Sequence, residues 1–548
     1  MRKILLFLLF LSSIVSAQTT AEKIKIAAHS NVKHLKALSK KYEADFRKNK
    51  ETAIQLSKRY HWQPSLTDGL TYSELMGVTP DLRPIYFTTY NQGSGITSRA
   101  SKLYHNGGLG LDIEGQNMTS GLWDAGSALA SHEIFSGRLS IMDDCITNRS
   151  HSTHVAGTII GTNQVQGGQA RGMAFRSNLH SYDWDNDQAE VALAAANGLL
   201  LSNHSYGYNP NAIQDYQWGK YDNKSQAFDE IMFDAPYYQF VCAAGNSRGS
   251  FNLPKNGFDL ITGQALAKNA ITVGSVEELL NYTGPNDVVM ASTSSWGPAD
   301  DGRIKPDIVA KGVNTFSATN EADNSYALAS GTSMASASVE GTLLLLQQYN
   351  NQRHGMYLRA ATLKALMVHT ADEAGLHPGP DYRFGWGLIN AEKAANTITN
   401  KGLQSYLLEN TLSQNETFSL AVNAIGNQPL VATLCWTDPK GELHSFNTDD
   451  NTPDLVNDLD LRITQNEDAF FPWKLNGDNP AAAATKGDNV VDNIEKSEID
   501  AASGSYVITV SHKGNLTSGL QNYSLVVSGI ILKNFLVHCG RACQKHLQ

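Results

Sequence analysis

The sequence predicts an α/β protein built on a doubly wound, mostly parallel sheet and followed by an antiparallel β-sandwich. Three observations carry this. At 548 residues the chain is too long for one hydrophobic core, so several folded units are expected. From about residue 117 to 389, short apolar runs alternate with helical stretches, and such alternation means a parallel sheet covered on both faces. Beyond about 402 the helical periodicity disappears, leaving strand-like runs separated by Gly, Asn and Asp clusters.

Residues 1–17 read as a signal peptide. Arg2 and Lys3 precede the apolar run 4–15, which closes on the small residues Ser16 and Ala17. That run is too short to span a bilayer comfortably, and no other stretch has a spanning helix's length and apolarity. The expectation is a secreted protein, extracellular or periplasmic, with no stable membrane insertion. Residues 18–85 follow as a helical, basic segment. Leu35, Leu38, Tyr42, Phe46, Leu56 and Tyr60 make an amphipathic stripe. Between positions 33 and 59 there are nine Lys/Arg against three Asp/Glu, on a chain whose net charge is −10. A solvated helix face has this composition. So does a prosegment that docks on its own acidic catalytic unit and inhibits it, as in a zymogen.

The hydrophobic content of 41% and charged content of 18% are ordinary globular values. The acidic balance argues against nucleic acid as a partner, because phosphate binding needs a basic field. Five cysteines, an odd count, leave at least one thiol free. Cys242, inside the apolar run 240–244, reads as a small buried hydrophobe; Cys539 and Cys543 are close enough in sequence to pair.

The unit expected over 86–400 carries the chemistry. Runs 118–123, 179–184, 198–203, 240–244 and 270–276 read as buried strands, and 152–161, 188–196 and 224–233 as helices. In such a sheet, function gathers at the carboxyl ends of strands. Run 118–123 ends in Asp124-Ala125-Gly126, placing a carboxylate at that edge. His151-Ser152-Thr153-His154 starts one helix, and Gly331-Thr332-Ser333-Met334-Ala335-Ser336 starts another. Acyl transfer needs a nucleophilic hydroxyl, an imidazole to take its proton and a carboxylate to hold the imidazole's tautomer. Alone, each motif is weak: Asp-x-Gly is usually a turn, Gly-Thr-Ser usually a cap or loop, and His151 with His154 could be half a metal site.

Together, in the order Asp–His–Ser, they resemble the subtilisin-like serine peptidases. The likeness extends to Ser205-Tyr206-Gly207, similar to the family's substrate-binding strand. Ala243-Ala244-Gly245-Asn246 resembles the specificity-pocket wall that ends in the oxyanion-hole amide. Ser294 to Pro298 and Lys305 to Ala310 resemble two further family stretches, so the resemblance covers roughly 117–395. It implies a triad of Asp124, His151 and Ser333, with Asn246 in the oxyanion hole. It also implies substrate contacts at Ser205, Tyr206, Gly207, Ala243, Ala244 and Gly245. His151 is selected as the base because it is the first His of His-x-Thr-His; His154 becomes a packing residue. Asp112, a rival carboxylate, lacks the Asp-x-Gly context.

Three departures stand out. Ser152 and Ala337 occupy positions where the family usually carries Gly and Pro. The segment 184–189 is short, which curtails the second substrate-binding edge strand. The resemblance also implies polypeptide substrates, a monomer, no cofactor for the chemistry, and calcium as a structural ion.

Residues 401–531 resemble a jelly-roll-like β-sandwich appended to some bacterial members of this family, with 532–548 left as a tail. Asp458, Asp460, Asp488 and Asp492 offer the hard oxygen ligands calcium prefers, and equally the chemistry of Asx turns. Two other functions are conceivable: a catalytically silent binding protein, and a carbohydrate- or surface-binding platform built from Trp436, Phe470, Phe471 and Trp473. The full triad with Asn246 argues against the first, and strand spacing makes those aromatics core more often than platform.

Overall fold

The computed structural model describes residues 19–68, 71–89, 96–249, 254–444 and 447–531. The expected signal peptide, the tail and the Cys539–Cys543 pair lie outside the described residues.

Two helices open the fold, α1 (Thr20–Ala27) and α2 (Val32–Tyr60). Thr19 and Glu22 form a capping box at the start of α1, and Asn31 caps α2 by accepting the His34 N–H. Three antiparallel strands follow: β1 (Ser65–Asp68), β2 (Thr71–Val78) and β3 (Pro84–Thr89). The expected helical segment over 18–85 is thus helical only to Tyr60, and β3 crosses the expected boundary at 85. These strands are fixed by pairing rather than by local periodicity, because β3 also pairs with a strand near residue 207.

The central unit runs β4 (Thr119–Asp124), β5 (Leu139–Ile141), α3 (Ser150–Ile160), β6 (Asn178–Asp183), α4 (Asp187–Ala196), β7 (Leu201–His204) and β8 (Tyr206–Tyr208). It continues with α5 (Asn223–Asp234), β9 (Gln239–Ala243), β10 (Ile271–Val276), β11 (Ile308–Lys311) and the hairpin β12 (Thr315–Ala318) and β13 (Tyr326–Ala329). Helices α6 (Thr332–His354), α7 (Ala360–Thr370) and α8 (Ala391–Thr399) complete it. Seven strands form one parallel sheet in the order β11-β10-β9-β7-β4-β6-β5. Strands β4, β7, β9 and β10 are buried along their whole length, as central parallel strands must be. One face packs on α6, α7 and α8, the other on α4 and α5. The strand order reverses around β4, whose last residue is Asp124.

The stripe on α2 docks on this second face. Leu35, Leu38 and Tyr42, with Met76 of β2, are buried in one cluster with Trp184 and the alanines of α4. The basic surplus of α2 takes little part: Arg47 pairs with Glu43 and Lys41 with Asp45 inside the helix itself. Lys50–Asp185 and His34–Asp234 do cross to the central unit.

Beyond 400 the chain forms a β-sandwich from β14 (Ser405–Ser413), β15 (Phe418–Ile425), β16 (Leu430–Trp436), β17 (Asp458–Gln465) and β18 (Asp468–Phe470). A small hairpin, β19 (Trp473–Lys474) and β20 (Thr485–Lys486), precedes β21 (Ile494–Ile499), β22 (Ser503–Lys513) and β23 (Leu520–Ser528). Two antiparallel sheets, β14-β23-β16-β21 and β15-β22-β17-β18, face each other. Their inner residues alternate with period two, as in Leu430, Ala432, Leu434 and Trp436 against Leu459, Leu461 and Ile463. Trp436 is therefore core, which rules out the four-aromatic platform. Trp473 instead lies under the Lys486 ammonium and donates to Glu498, while Phe471 lies under Arg462.

The sandwich is joined to the central unit by buried polar contacts. Lys268 Nζ lies 2.9 Å from Asp438 with both side chains fully buried, and also donates to the carbonyls of Pro439 and Asp454 at 2.7 Å. Arg303 binds Asp301 at 2.6 Å and Asp454 at 3.0 Å. His369 on α7 contacts Thr433 and Ser528 across the joint at 3.0 and 2.7 Å.

Candidate active site

Three elements bring the sequence-predicted triad together. Asp124 ends β4 and accepts the Ala125 N–H at 2.7 Å, which fixes its carboxylate at the sheet edge. His151 lies in the first turn of α3, its Nδ1 at 2.7 and 2.8 Å from the two Asp124 oxygens. A carboxylate only accepts, so Nδ1 carries the proton and Nε2 is left with a lone pair. That Nε2 stands 3.3 Å from Ser333 Oγ, in the first turn of α6. Asp124 and Ser333 are fully buried and His151 is 3% exposed.

Ser333 is held from both sides. Its Oγ also lies 3.3 Å from Ser205 O, and its own carbonyl accepts from Ser205 Oγ at 3.0 Å and Ser336 Oγ at 2.7 Å. Asn246 follows the turn after β9, where Gly245 adopts φ 102° and a Cβ would stand 3.1 Å from Ser295 Oγ. Asn246 Oδ1 accepts the Thr332 N–H at 2.9 Å. That bond fixes the amide's orientation and leaves Nδ2 as its donor end, next to the start of α6. Thr332 also accepts from the Gly245 N–H through Oγ1 at 3.1 Å. This orienting role of Thr332 has no counterpart in the sequence pattern, where it reads as an ordinary helix-start residue.

The other expected residues sort clearly. His154 turns away, its Nε2 at 3.3 Å from Ala327 O, and burial pushes it down to about 3. Asp112 is exposed beside His105. Ser152 is a buried residue within α3, and Ala337 packs with Met334 and Ala318. Cys242 and Cys435 are buried, and burial pushes both thiols up to about 12.

Tyr206, Gly207 and Tyr208 of β8 pair with β3 in the register Thr89↔Tyr206, Thr88↔Gly207, Phe87↔Tyr208. Only three residues separate β6 from α4, so that connection adds no strand, and β2 lies on the outer edge of β3. Behind β8, Tyr206 OH donates to Asp187 at 2.6 Å, as does Lys224 Nζ, while His204 Nδ1 lies 3.0 Å from the same hydroxyl. Asp187, Lys224 and His204 were not legible as partners of this strand: each is an ordinary polar residue in its own local sequence.

The four carboxylates suggested for calcium do not converge. Asp458 and Asp460 bind Lys513 at 3.4 and 2.8 Å, and Arg462 binds Asp460 at 2.9 Å and also Asp488. Asp492 is elsewhere, accepting Ile304 N–H and Asn489 Nδ2.

Residues 142–387 match the model of the subtilase family. The serine protease AprX of Bacillus subtilis is 26% identical over 54% of this chain and 70% of its own length. Subtilisin DY of Bacillus licheniformis is 28% identical over 52% of this chain and 92% of its own. A serine protease/ABC transporter B family protein of Dictyostelium discoideum, tagA, is 25% identical over 69% of this chain, which spans 27% of that relative. Among solved structures, the self-cleaved protease domain of PatA is 20% identical over 53% of this chain and 98% of its own, with a TM-score of 0.41. Residues 142–387 thus match the subtilase family, and over this region the chain is similar to subtilisin-like serine peptidases, with a β-sandwich appended beyond residue 400.

Proposed function

We propose that this chain is a secreted endopeptidase that cuts extended polypeptides through Ser333, His151 and Asp124 by way of an acyl-enzyme. The observation that carries the reading is His151 standing between Asp124 and Ser333 Oγ at 2.7 and 3.3 Å. His151 Nε2 takes the hydroxyl proton as Oγ bonds to the scissile carbonyl carbon. It returns that proton to the amine as the C–N bond breaks, and then activates a water that releases the acid. Asp124 keeps the Nδ1 proton in place and stabilises the imidazolium. Asn246 Nδ2 and the Ser333 N–H receive the oxyanion.

Substrate pairs with Ser205, Tyr206 and Gly207 as an added strand, with Ala243, Ala244 and Gly245 walling the adjoining pocket. The pairing of β3 on β8 supports this mode, because β3 lies where such a strand would lie. Residues 18–89 then act as an intramolecular inhibitor removed on maturation. Export by residues 1–17, a monomeric state and structural calcium complete the reading.

Fluorophosphonate labelling of the mature protein tests it. The expected adduct is on Ser333, and Ser333→Ala should abolish both labelling and peptide hydrolysis while leaving the fold intact. A folded protein that took no label would leave a silent binding protein instead.

A further inference from the structure

Three loops that meet beside the β-sandwich carry an acidic group separate from the triad. Asp259 lies between β9 and β10, Asp300 between β10 and β11, and Asp449 between β16 and β17. One carboxylate oxygen from each lies within 4.8 Å of the others. Asp259 is 5% exposed, yet among the described residues its Oδ1 has no hydrogen-bond partner, and neither does Oδ2 of Asp300. Gly219 stands between these two side chains with φ 69°. A Cβ there would lie 2.3 Å from both Asp259 Oδ1 and Asp300 Oδ1. The two oxygens therefore close on a space that any side chain at 219 would fill.

Backbone bonds hold this arrangement in place. Asp300 N–H donates to Gly219 O at 2.9 Å, Gly219 N–H to Ile261 O at 3.0 Å, and Asp259 N–H to Gly297 O at 2.7 Å. Lys255 Nζ binds Asp259 Oδ2 at 2.5 Å and also reaches Asp449. That ammonium answers the outer side of the group, and Lys220 adds positive field near Asp300. Asp259 Oδ1 still faces a second carboxylate with no donor on it, an arrangement that is costly for buried groups.

We propose that Asp259, Asp300 and Asp449 bind a calcium ion that ties the β16–β17 loop of the sandwich to the catalytic unit. All three donors are carboxylate oxygens, which select a hard cation over zinc or copper. They come from three separate loops, and calcium tolerates irregular coordination completed by water, where magnesium demands a near-ideal octahedron. These are not the four carboxylates that the sequence suggested, and the site does not depend on the peptidase reading.

Calcium binding to the full chain carrying Ser333→Ala, counted by isothermal titration, tests this. Two further variants are compared with it, Asp259→Asn and Asp449→Asn. At about 1 mM free calcium, within the range of extracellular modules, each should bind one ion fewer per chain. The rise in Tm on adding calcium should shrink in both. Asp449 is an exposed side chain, so Asp449→Asn decides the question if Asp259→Asn fails to fold. An unchanged calcium count in Asp449→Asn would overturn the proposal, and so would magnesium raising Tm as much as calcium does.

Discussion

Asn246 illustrates how a single hydrogen bond assigns a role. Its side-chain oxygen is taken by the Thr332 N–H, so only its NH₂ end remains to meet a developing charge near Ser333. Asn246→Ala should therefore lower kcat far more than it changes KM. By analogy with the corresponding donor in subtilisin itself, the loss is about 10²–10³-fold. Steady-state kinetics on a peptide substrate would check this, and a change confined to KM would remove Asn246 from the oxyanion hole. The choice between His151 and His154 marks what single residues reveal in sequence. Both begin the same helix, and nothing in their chemistry separates them; the family pattern chose His151. The structure supplies the physical difference, since one ring reaches a carboxylate and the other is buried against Ala327 O. Thr332 had no such signal, because it acts through a backbone N–H that every residue but proline possesses and through an ordinary hydroxyl that accepts the Gly245 N–H.

Helix α6 carries Ser333 at its start and is buried on all sides over 332–350, with one unusual occupant. Glu340 is fully buried, accepts from Ser120 Oγ, and has no partner for its second oxygen among the described residues. Burial pushes its carboxyl up to about 8 from an ordinary 4.5. In the fold it stays protonated where the unfolded chain would ionise, so the unfolded state binds fewer protons and stability falls as pH rises from about 4.5 to about 8. Glu340→Gln, which cannot ionise, should gain stability over the parent as pH rises through that window, by a few kcal/mol at most. Urea unfolding at about pH 5 and about pH 8 would measure it, and an equal effect at both would show that Glu340 is not the source. At the scale of elements, the sequence exposes those with strong local periodicity. Strands β4, β6, β7, β9 and β10, helices α3, α4 and α5 and the stripe on α2 fall close to where the apolar pattern puts them, while β5, β11, α7 and α8 lie outside that reading. Strands β1, β2 and β3 do not, because β3 takes its place from β8, more than a hundred residues away. Strand β21, with the sequence Ile-Glu-Lys-Ser-Glu-Ile, hides behind its charges: Glu495 is buried within the sandwich and accepts the Leu461 N–H.

Across the whole molecule, the two ends of the chain grip the middle by different physics. The N-terminal segment uses the apolar side of α2; most of its basic side chains face solvent or acids on the same helix, and Lys50 and His34 reach Asp185 and Asp234 of the central unit. The electrostatic docking that its charge suggested is therefore secondary to burial. A peptide of residues 18–89 added to the mature enzyme should inhibit with a Ki that shifts less than about threefold between about 0.05 and 0.5 M salt. A much steeper loss of inhibition with salt would restore charge as the main force. The C-terminal sandwich grips through ion pairs closed off from water, with Lys268 and Arg303 on one side and Asp438 and Asp454 on the other. Those pairs bear on how such a molecule can be inherited. A sandwich exchanged for one with no acid at the place of Asp438 would leave the Lys268 ammonium buried and unpaired. Removing one partner of a buried pair costs about 3–5 kcal/mol, a large share of a typical domain's stability. A replacement sandwich would have to bring acids to the places of Asp438 and Asp454, so the two units are not freely interchangeable parts.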